Sequence, residues 1–407
     1  MAYPHDRPVM RHILRATLGP LARTYLRVRL RRMRLDDVAV FVVGAHKLGH
    51  LALEPLVSFL GDEPSDGVHS AKSAARLWNL GRLNRSANRE MWLTWKRELP
   101  CAPSRVLSLA VRPKGPTARP AAFYPPDNLL DRNTWRPSVP LHIARRTEEF
   151  LSDLGVSPNR PIVALVVNEG VHYGDSWILR ETELDPALRL LTFDPGAFAE
   201  TVRSLIEDGQ VVVRLGRHSA ARIEVSDPSF IDYAHHPLRC DALDVGLAAR
   251  ARLILSTQTG PDSVALAFGR PVTYFDVARL KYAFFDVASV HWQPAVLINS
   301  HGEKLSLSRQ LADGVLALKT PDDFARRGIR VLRSEPAEYV HVAREGLAIA
   351  SGSNLLRGED AELQARARAI IGRATASGAI ERRGRPSAIV SPRFLRMNPW
   401  WLEDSDG

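Results

Sequence analysis

Pro161-Ile162-Val163-Ala164-Leu165-Val166-Val167 decides the fold. A continuous apolar run of strand length behind a proline reads as a strand buried on both faces, the kind found in parallel sheets. Downstream of it, residues 198–208 read as a helix closed by Gly209, and Val211-Val212-Val213-Arg214-Leu215 as a strand ending at Gly216. Phe230-Ile231-Asp232-Tyr233 is a short strand and residues 243–251 a helix. Leu253-Ile254-Leu255 is the next strand, residues 263–268 a helix, and residues 272–275 a further strand. Strands and helices alternating at this spacing predict a doubly wound parallel α/β sheet.

Working outward, the apolar run of residues 38–43 predicts another parallel strand, feeding Gly44-Ala45-His46-Lys47-Leu48-Gly49-His50. Leu51, Leu53, Leu56, Val57 and Leu60 then mark a helix, so this is the opening βα unit of a second Rossmann-like domain. Residues 106–111 form a second strand candidate, and residues 112–140, rich in proline and arginine, read as loop or linker. Residues 147–154 and 359–371 are further helices. A chain of 407 residues suits two domains. The expected division is a basic helical segment (1–36), an N-terminal domain (37–140), a C-terminal domain (141–385) and a tail (386–407).

Net charge is +10, which favours anionic partners. Nine arginines and no acid lie between Arg7 and Arg34, interleaved with leucines and broken by Gly19-Pro20. This stretch is either a solvated helix pair packed on its domain or an amphipathic patch for anionic lipid at the inner membrane face. No apolar run approaches a membrane span, and no signal peptide is expected. Cys101 and Cys240 cannot make a disulfide framework or a zinc site, so a cytoplasmic location is expected. The basic stretches carry few aromatics for stacking, and nucleic acid is not expected as a partner.

Three segments at predicted strand ends could carry chemistry. Ser256-Thr257-Gln258-Thr259-Gly260-Pro261-Asp262-Ser263 joins a strand to a helix start, where backbone N–H groups and the helix dipole favour an anion. Thr257, Thr259 and Ser263 add hydroxyls, and Gly260 permits close approach. The plainer reading is a turn with Asp262 or Ser263 as helix cap. Arg214 and Arg217 flank Gly216 and could clamp a diphosphate, unless Asp232 or Asp241 holds one of them inside the fold. His46, Gly49 and His50 lie in the glycine-rich loop after the first strand. His50 and Leu51 stand where a P-loop needs lysine and Ser/Thr, so that motif is excluded, and no GxGxxG follows a strand. A histidine there could deprotonate a hydroxyl or simply pack within the loop. Glu169, His172, Tyr173 and Asp175 follow the strand at Ile162 and are weaker candidates, with Asp232 beside them. The only Asp-x-Asp, Asp404-Ser405-Asp406, falls at the chain end, so no metal and no cofactor are expected.

Taken together, several of these pieces resemble a family of GT-B-type glycosyltransferases of bacterial surface-polysaccharide loci. They are Gly49-His50-Leu51 with Glu54, Val213-Arg214-Leu215-Gly216, Phe230-Ile231-Asp232-Tyr233-Ala234 and residues 241–247. Leu255-Ser256-Thr257-Gln258-Thr259-Gly260, Gly269-Arg270-Pro271-Val272, Glu362-Leu363-Gln364 and Pro392-Arg393-Phe394-Leu395 with Asn398-Pro399 complete the set. The resemblance implies two Rossmann-like domains facing across a cleft, an acceptor domain and then a nucleotide-sugar donor domain. It implies a tail that crosses back to the first domain. His50 would be the base, and Arg214, Arg217 and the helix start at Thr257–Gly260 would hold the diphosphate of a nucleoside diphosphate sugar. The acceptor would be a glycan or a lipid-linked sugar. One departure is plain: Asn168 stands where the family pattern has an arginine. Two alternatives therefore stay open, a catalytically inactive GT-B-like scaffold and a nucleotide-sugar epimerase.

Overall fold

The structure, a computed structural model, describes residues 38–43, 48–60, 75–80, 86–99, 101, 117–120, 128–170, 190, 192–217, 219–280, 283–353, 355–380 and 384–404. The basic stretch of residues 7–34, the strand candidate at 106–111, and His46, His172, Tyr173, Asp175 and His218 lie outside the described residues. The chain divides into two compact units, Met1–Phe123 and Tyr124–Gly407.

In the first unit, β1 (Val38–Val42) pairs in parallel with β2 (Ala75–Asn79) on one side and β3 (Thr117–Pro120) on the other. The expected β1 is present and α1 (Leu48–Leu60) follows it. α2 (Arg89–Glu98) follows β2 and is capped by Asn88, whose side chain accepts from the Met91 N–H at 2.8 Å. Leu51, Leu53, Leu56, Trp78, Met91 and Trp95 form the buried interior. β3 corrects the reading of residues 112–140 as loop. It has no apolar run because, among the described residues, it is an edge strand, and an edge tolerates the Pro120 that a central strand would not.

The second unit is built on a seven-stranded parallel sheet. Its first four strands are β4 (Ile162–Val166), β5 (Val211–Leu215), β6 (Phe230–Ile231) and β7 (Leu253–Ser256). β8 (Val272–Val277) and β9 (Val290–Pro294) continue it. A small antiparallel pair follows, β10 (Val296–Ile298) with β11 (Arg330–Leu332), and β12 (Ile389–Val390) closes the large sheet. Across that sheet the order is β12-β9-β8-β7-β4-β5-β6. β4, β5 and β7 are buried at every residue, which is why they read as unbroken apolar runs.

Helices α3 (Leu141–Asp153), α4 (Ala199–Glu207), α5 (Asp241–Arg250) and α6 (Gly260–Ala267) cover the sheet. After the short α7 (Leu307–Ala312) and α8 (Pro321–Arg326) come α9 (Pro336–Ala350) and α10 (Glu359–Ala376). One face of the sheet packs Val163, Leu165, Leu253, Leu255 and Phe275 against Phe198, Val202 and Tyr339. There Phe198 stacks on Tyr339 at 4.8 Å. Where α3 and α5 cross, a Cβ at Gly246 would fall 1.9 Å from Thr147 Oγ1, so only glycine permits the contact. Gly346 of α9 plays the same part against Thr273 of β8, with 2.1 Å to its Oγ1.

The tail is built into this second unit. β12 adds an edge to the sheet, α11 (Pro392–Met397) packs on α10, and Trp401 sets its ring 5.5 Å from Phe394 and 6.2 Å from Trp292. Residues 128–140, assigned by the sequence to the first domain, also fold here. Asn128 donates to the carbonyls of Asp286 and Arg385 at 2.9 and 2.8 Å.

Candidate functional site

Numbered along the chain from β4, the six strands β4 to β9 lie in the order 6-5-4-1-2-3. The chain runs outward from β4 through β5 to β6, then returns to β4's other side at β7. The reversal falls between β4 and β7, and in open α/β sheets the crevice outside the carboxyl ends of such a pair is the place for a ligand. Two loops meet there: Val167-Asn168-Glu169-Gly170 after β4 and Thr257-Gln258-Thr259 after β7. They are tied directly, since the Asn168 N–H donates to Thr257 Oγ1 at 2.8 Å and the Thr257 N–H to the Val166 carbonyl at 3.2 Å. Thr257 is buried and its hydroxyl joins the loops. Asn168 accepts from the Gly170 N–H through Oδ1 at 2.9 Å, and its carbonyl accepts from Phe193.

The start of α6 differs from the expected open anion site. Thr259 is the N-cap, but its N–H donates to Asp262 Oδ2 at 2.7 Å. The Ser256 hydroxyl donates to the same oxygen at 3.0 Å and the Ser263 hydroxyl to Oδ1 at 3.1 Å. The Ser263 N–H also serves this carboxyl, and Pro261 has none to offer. The anion that this helix start holds is its own Asp262, so the Thr259 N–H and the Ser263 hydroxyl, both expected at a diphosphate, are engaged inside the fold.

Burial pushes the Asp262 carboxyl up to about 6, against the pull of these hydrogen bonds. A carboxyl raised in the folded state binds its proton more tightly there than in the unfolded chain. Its contribution to stability is therefore full at acid pH and is lost as pH rises through about 6. In Asp262→Asn the amide oxygen can keep the Thr259 and Ser256 bonds while the amide nitrogen donates to Ser263. Denaturant titrations should show the variant gaining roughly 1–1.5 kcal/mol on the parent between pH 5 and pH 7.5. A parallel pair of pH curves would contradict this.

Arg214 also differs from expectation. It is fully buried, donating to Glu169 Oε1 at 2.6 Å, the Ala221 carbonyl at 2.7 Å and Ser219 Oγ at 3.1 Å, with Asp232 Oδ1 3.8 Å away. Glu169 in turn accepts from the Ala220 and Ala221 N–H groups, both at 2.9 Å. Arg214 and Glu169 are thus an internal clamp that fastens the loop after β5 to the loop after β4. They are not a ligand-facing pair, and the reading of Arg214 as a diphosphate ligand is corrected. Arg217, one residue past Gly216, is 53% exposed and 3.5 Å from Asp241. Arg222, which the sequence did not single out, is 63% exposed and 3.7 Å from Asp232.

Two further features were missed. Gln258 has φ of +63°, a backbone region costly for a side-chain-bearing residue. Both of its amide atoms are withdrawn from solvent without a hydrogen-bond partner among the described residues. His235 places Nδ1 2.9 Å from Asp232 Oδ2, with Nε2 buried and unpartnered among the same residues. The signal for Gln258 was its place in the quoted loop; for His235 it was the spacing of three from Asp232. His50 and Gly49 lie in the first turn of α1, where Glu54 Oε1 sits 2.5 Å from His50 Nδ1. Asp404 lies on the surface near Arg373. Among the described residues no three His, Cys, Asp or Glu side chains gather as a metal site, and no helix is long and apolar enough to cross a membrane.

Fold and site define an α/β protein with a Rossmann-ordered sheet and a polar crossing of two loops at its reversal point. No protein-family model matches the chain, and no curated protein matches its sequence. Among solved structures it is similar to a glycosyl transferase family 9 protein from Veillonella parvula DSM 2008. The identity is 10% and the TM-score 0.40, over 78% of this chain and 99% of that one. It is also similar to the E. coli ADP-heptose lps heptosyltransferase II, at 14% identity and a TM-score of 0.28, over 63% of this chain and 85% of that one. Likenesses this loose assign neither fold nor activity, and the sheet order above stands on this chain's own pairings.

Proposed function

We propose that this chain is a glycosyltransferase that moves a sugar from a nucleoside diphosphate sugar to a glycan or lipid-linked acceptor in surface-polysaccharide synthesis. The observation that supports it best is the reversal point of the second unit's sheet. At the strand ends there, Gln258 has a strained backbone and a carboxamide without a hydrogen-bond partner among the described residues, a group that can both donate to and accept from a ligand's polar edge once it turns outward. Buried polar atoms without partners are rare and costly, and a bound nucleotide would supply what they lack. Donor binding is assigned to the second unit and proton abstraction to His50 of the first. The basic stretch at residues 7–34 is proposed for peripheral contact with anionic membrane, on the cytoplasmic side.

Because Arg214 and the start of α6 are internally engaged, the diphosphate charge is assigned to Arg217 and Arg222. Their contacts with Asp241 and Asp232 are long, at 3.5 and 3.7 Å, and both arginine side chains are more than half exposed, which leaves them within reach of a phosphate. Thermal-shift titration with UDP, ADP and GDP and with the free nucleosides tests this. Arg217→Ala should weaken the favoured diphosphate by roughly 1.5–3 kcal/mol and leave its nucleoside unchanged. Excess EDTA should change neither. No stabilisation by any of these nucleotides would end the reading. Asn168 keeps the inactive-scaffold alternative in view, and detectable hydrolysis of the stabilising nucleotide sugar excludes it. A product sugar still attached to nucleotide would instead indicate an epimerase.

A further inference from the structure

The first two turns of α1 carry a carboxylate–imidazole pair. His50 and Glu54 are four residues apart, hence neighbours on one face of the helix, and His50 Nδ1 is 2.5 Å from Glu54 Oε1. The imidazole side is 37% exposed while the Glu54 side chain is 8% exposed. The main chain at Glu54 is tied to the interior of the unit. The Ser58 hydroxyl donates to the Glu54 carbonyl, and Trp78 Nε1, from β2, donates to Ser58 Oγ at 3.0 Å. A buried, packed glutamate has little freedom to leave its partner.

We propose that Glu54 is a positioning residue that fixes the tautomer of His50. An ionised carboxylate only accepts hydrogen bonds, so the ring nitrogen facing it must carry the proton. The neutral imidazole then holds its proton on Nδ1 and its lone pair on Nε2. For turnover, and only there, the proposal rests on His50 being the base. Nε2 takes the proton of the acceptor hydroxyl while that oxygen bonds to the sugar's anomeric carbon. The bond to the diphosphate breaks with its electron pair leaving on the phosphate oxygen. The imidazolium so formed lies against the Glu54 carboxylate.

The test uses the full chain labelled with nitrogen-15 histidine, with His50 assigned by loss of its signals in His50→Gln. At a pH where the ring is neutral, long-range nitrogen–proton correlation distinguishes the tautomers. The parent should show the Nδ1–H form. Glu54→Gln should keep it, because the amide oxygen still accepts, whereas Glu54→Leu should lose it. An Nε2–H form in the folded parent, or an unchanged Nδ1–H form in folded Glu54→Leu, overturns the proposal. If the leucine variant does not fold, the parent and the glutamine variant still decide. With a donor in hand, Glu54→Leu should lower kcat by about 10–100-fold, the loss typical when the carboxylate that orients a metal-bound imidazole is removed. KM for the donor should be unchanged. A shifted tautomer with unchanged kcat would sustain the positioning role and remove His50 as the base.

Discussion

Replacing Arg214 by alanine is expected to destabilise the second unit by about 3–5 kcal/mol, the usual cost of removing one partner of a buried ion pair. The guanidinium is fully buried and binds Glu169, Ser219 and the Ala221 carbonyl. Without it the Glu169 carboxylate keeps two backbone N–H donors but loses its counter-charge, and a cavity opens under the loop after β5. Lysine should rescue little, because a single ammonium cannot reproduce a planar fork serving three acceptors. The double variant Arg214→Met with Glu169→Gln should be more stable than Arg214→Ala alone, since the stranded charge is gone. Chemical denaturation of the parent, Arg214→Ala, Arg214→Lys and the double variant measures these differences. A stable Arg214→Ala protein with selective loss of diphosphate affinity would return this arginine to the ligand site.

The contrast between Arg214 and the strands around it shows how much was legible. β4, β5, β6, β7 and β8 all lie where apolar runs placed them, because a strand covered on both faces announces itself in its own residues. β9 did not. His291 and Gln293 interrupt its pattern, yet both are buried, His291 near Thr273 and Glu345 and Gln293 bonded to Ser334. Those partners come from β8, α9 and a loop, so the polar residues make sense only once the chain is folded. β12, two residues long, offers no periodicity at all.

The same distinction governs the site. Its loops were legible, because strand ends and the turns after them can be read locally. Which charges are spent inside the fold was not. Arg214 was seen to have a possible internal partner, but Glu169, 45 residues earlier, is the dominant one, brought close by the pairing of Leu165 with Arg214. Asp262 was named as a possible N-cap, but the N-cap is Thr259 and Asp262 is the third helical residue of the capping box, its carboxylate accepting from the Thr259 N–H. Gln258 drew no attention because a glutamine in a turn is unremarkable until its backbone angle and its lack of partners are known.

His50→Ala should separate binding from chemistry. Under the proposed function the donor is held by the strand-end loops of the second unit, whereas His50 belongs to α1 of the first. Removing the imidazole should therefore leave the thermal shift with the favoured nucleoside diphosphate within about twofold of the parent in apparent affinity. Turnover should fall by about 10²–10⁴-fold, the usual contribution of a positioned general base, equivalent to roughly 3–5 kcal/mol of transition-state stabilisation. Folding should suffer little, because the ring is part-exposed and its contact with Glu54 lies within the same helix. The variant leaves Glu54 buried beside the vacated position, so His50→Ala with Glu54→Gln should be the more stable of the two while remaining equally inactive. Turnover that persists in a folded His50→Ala protein would move the base elsewhere. Asp232–His235 would then be the pair to mutate next, since its imidazole is held by a carboxylate in the same manner and lies within the unit that carries the donor loops.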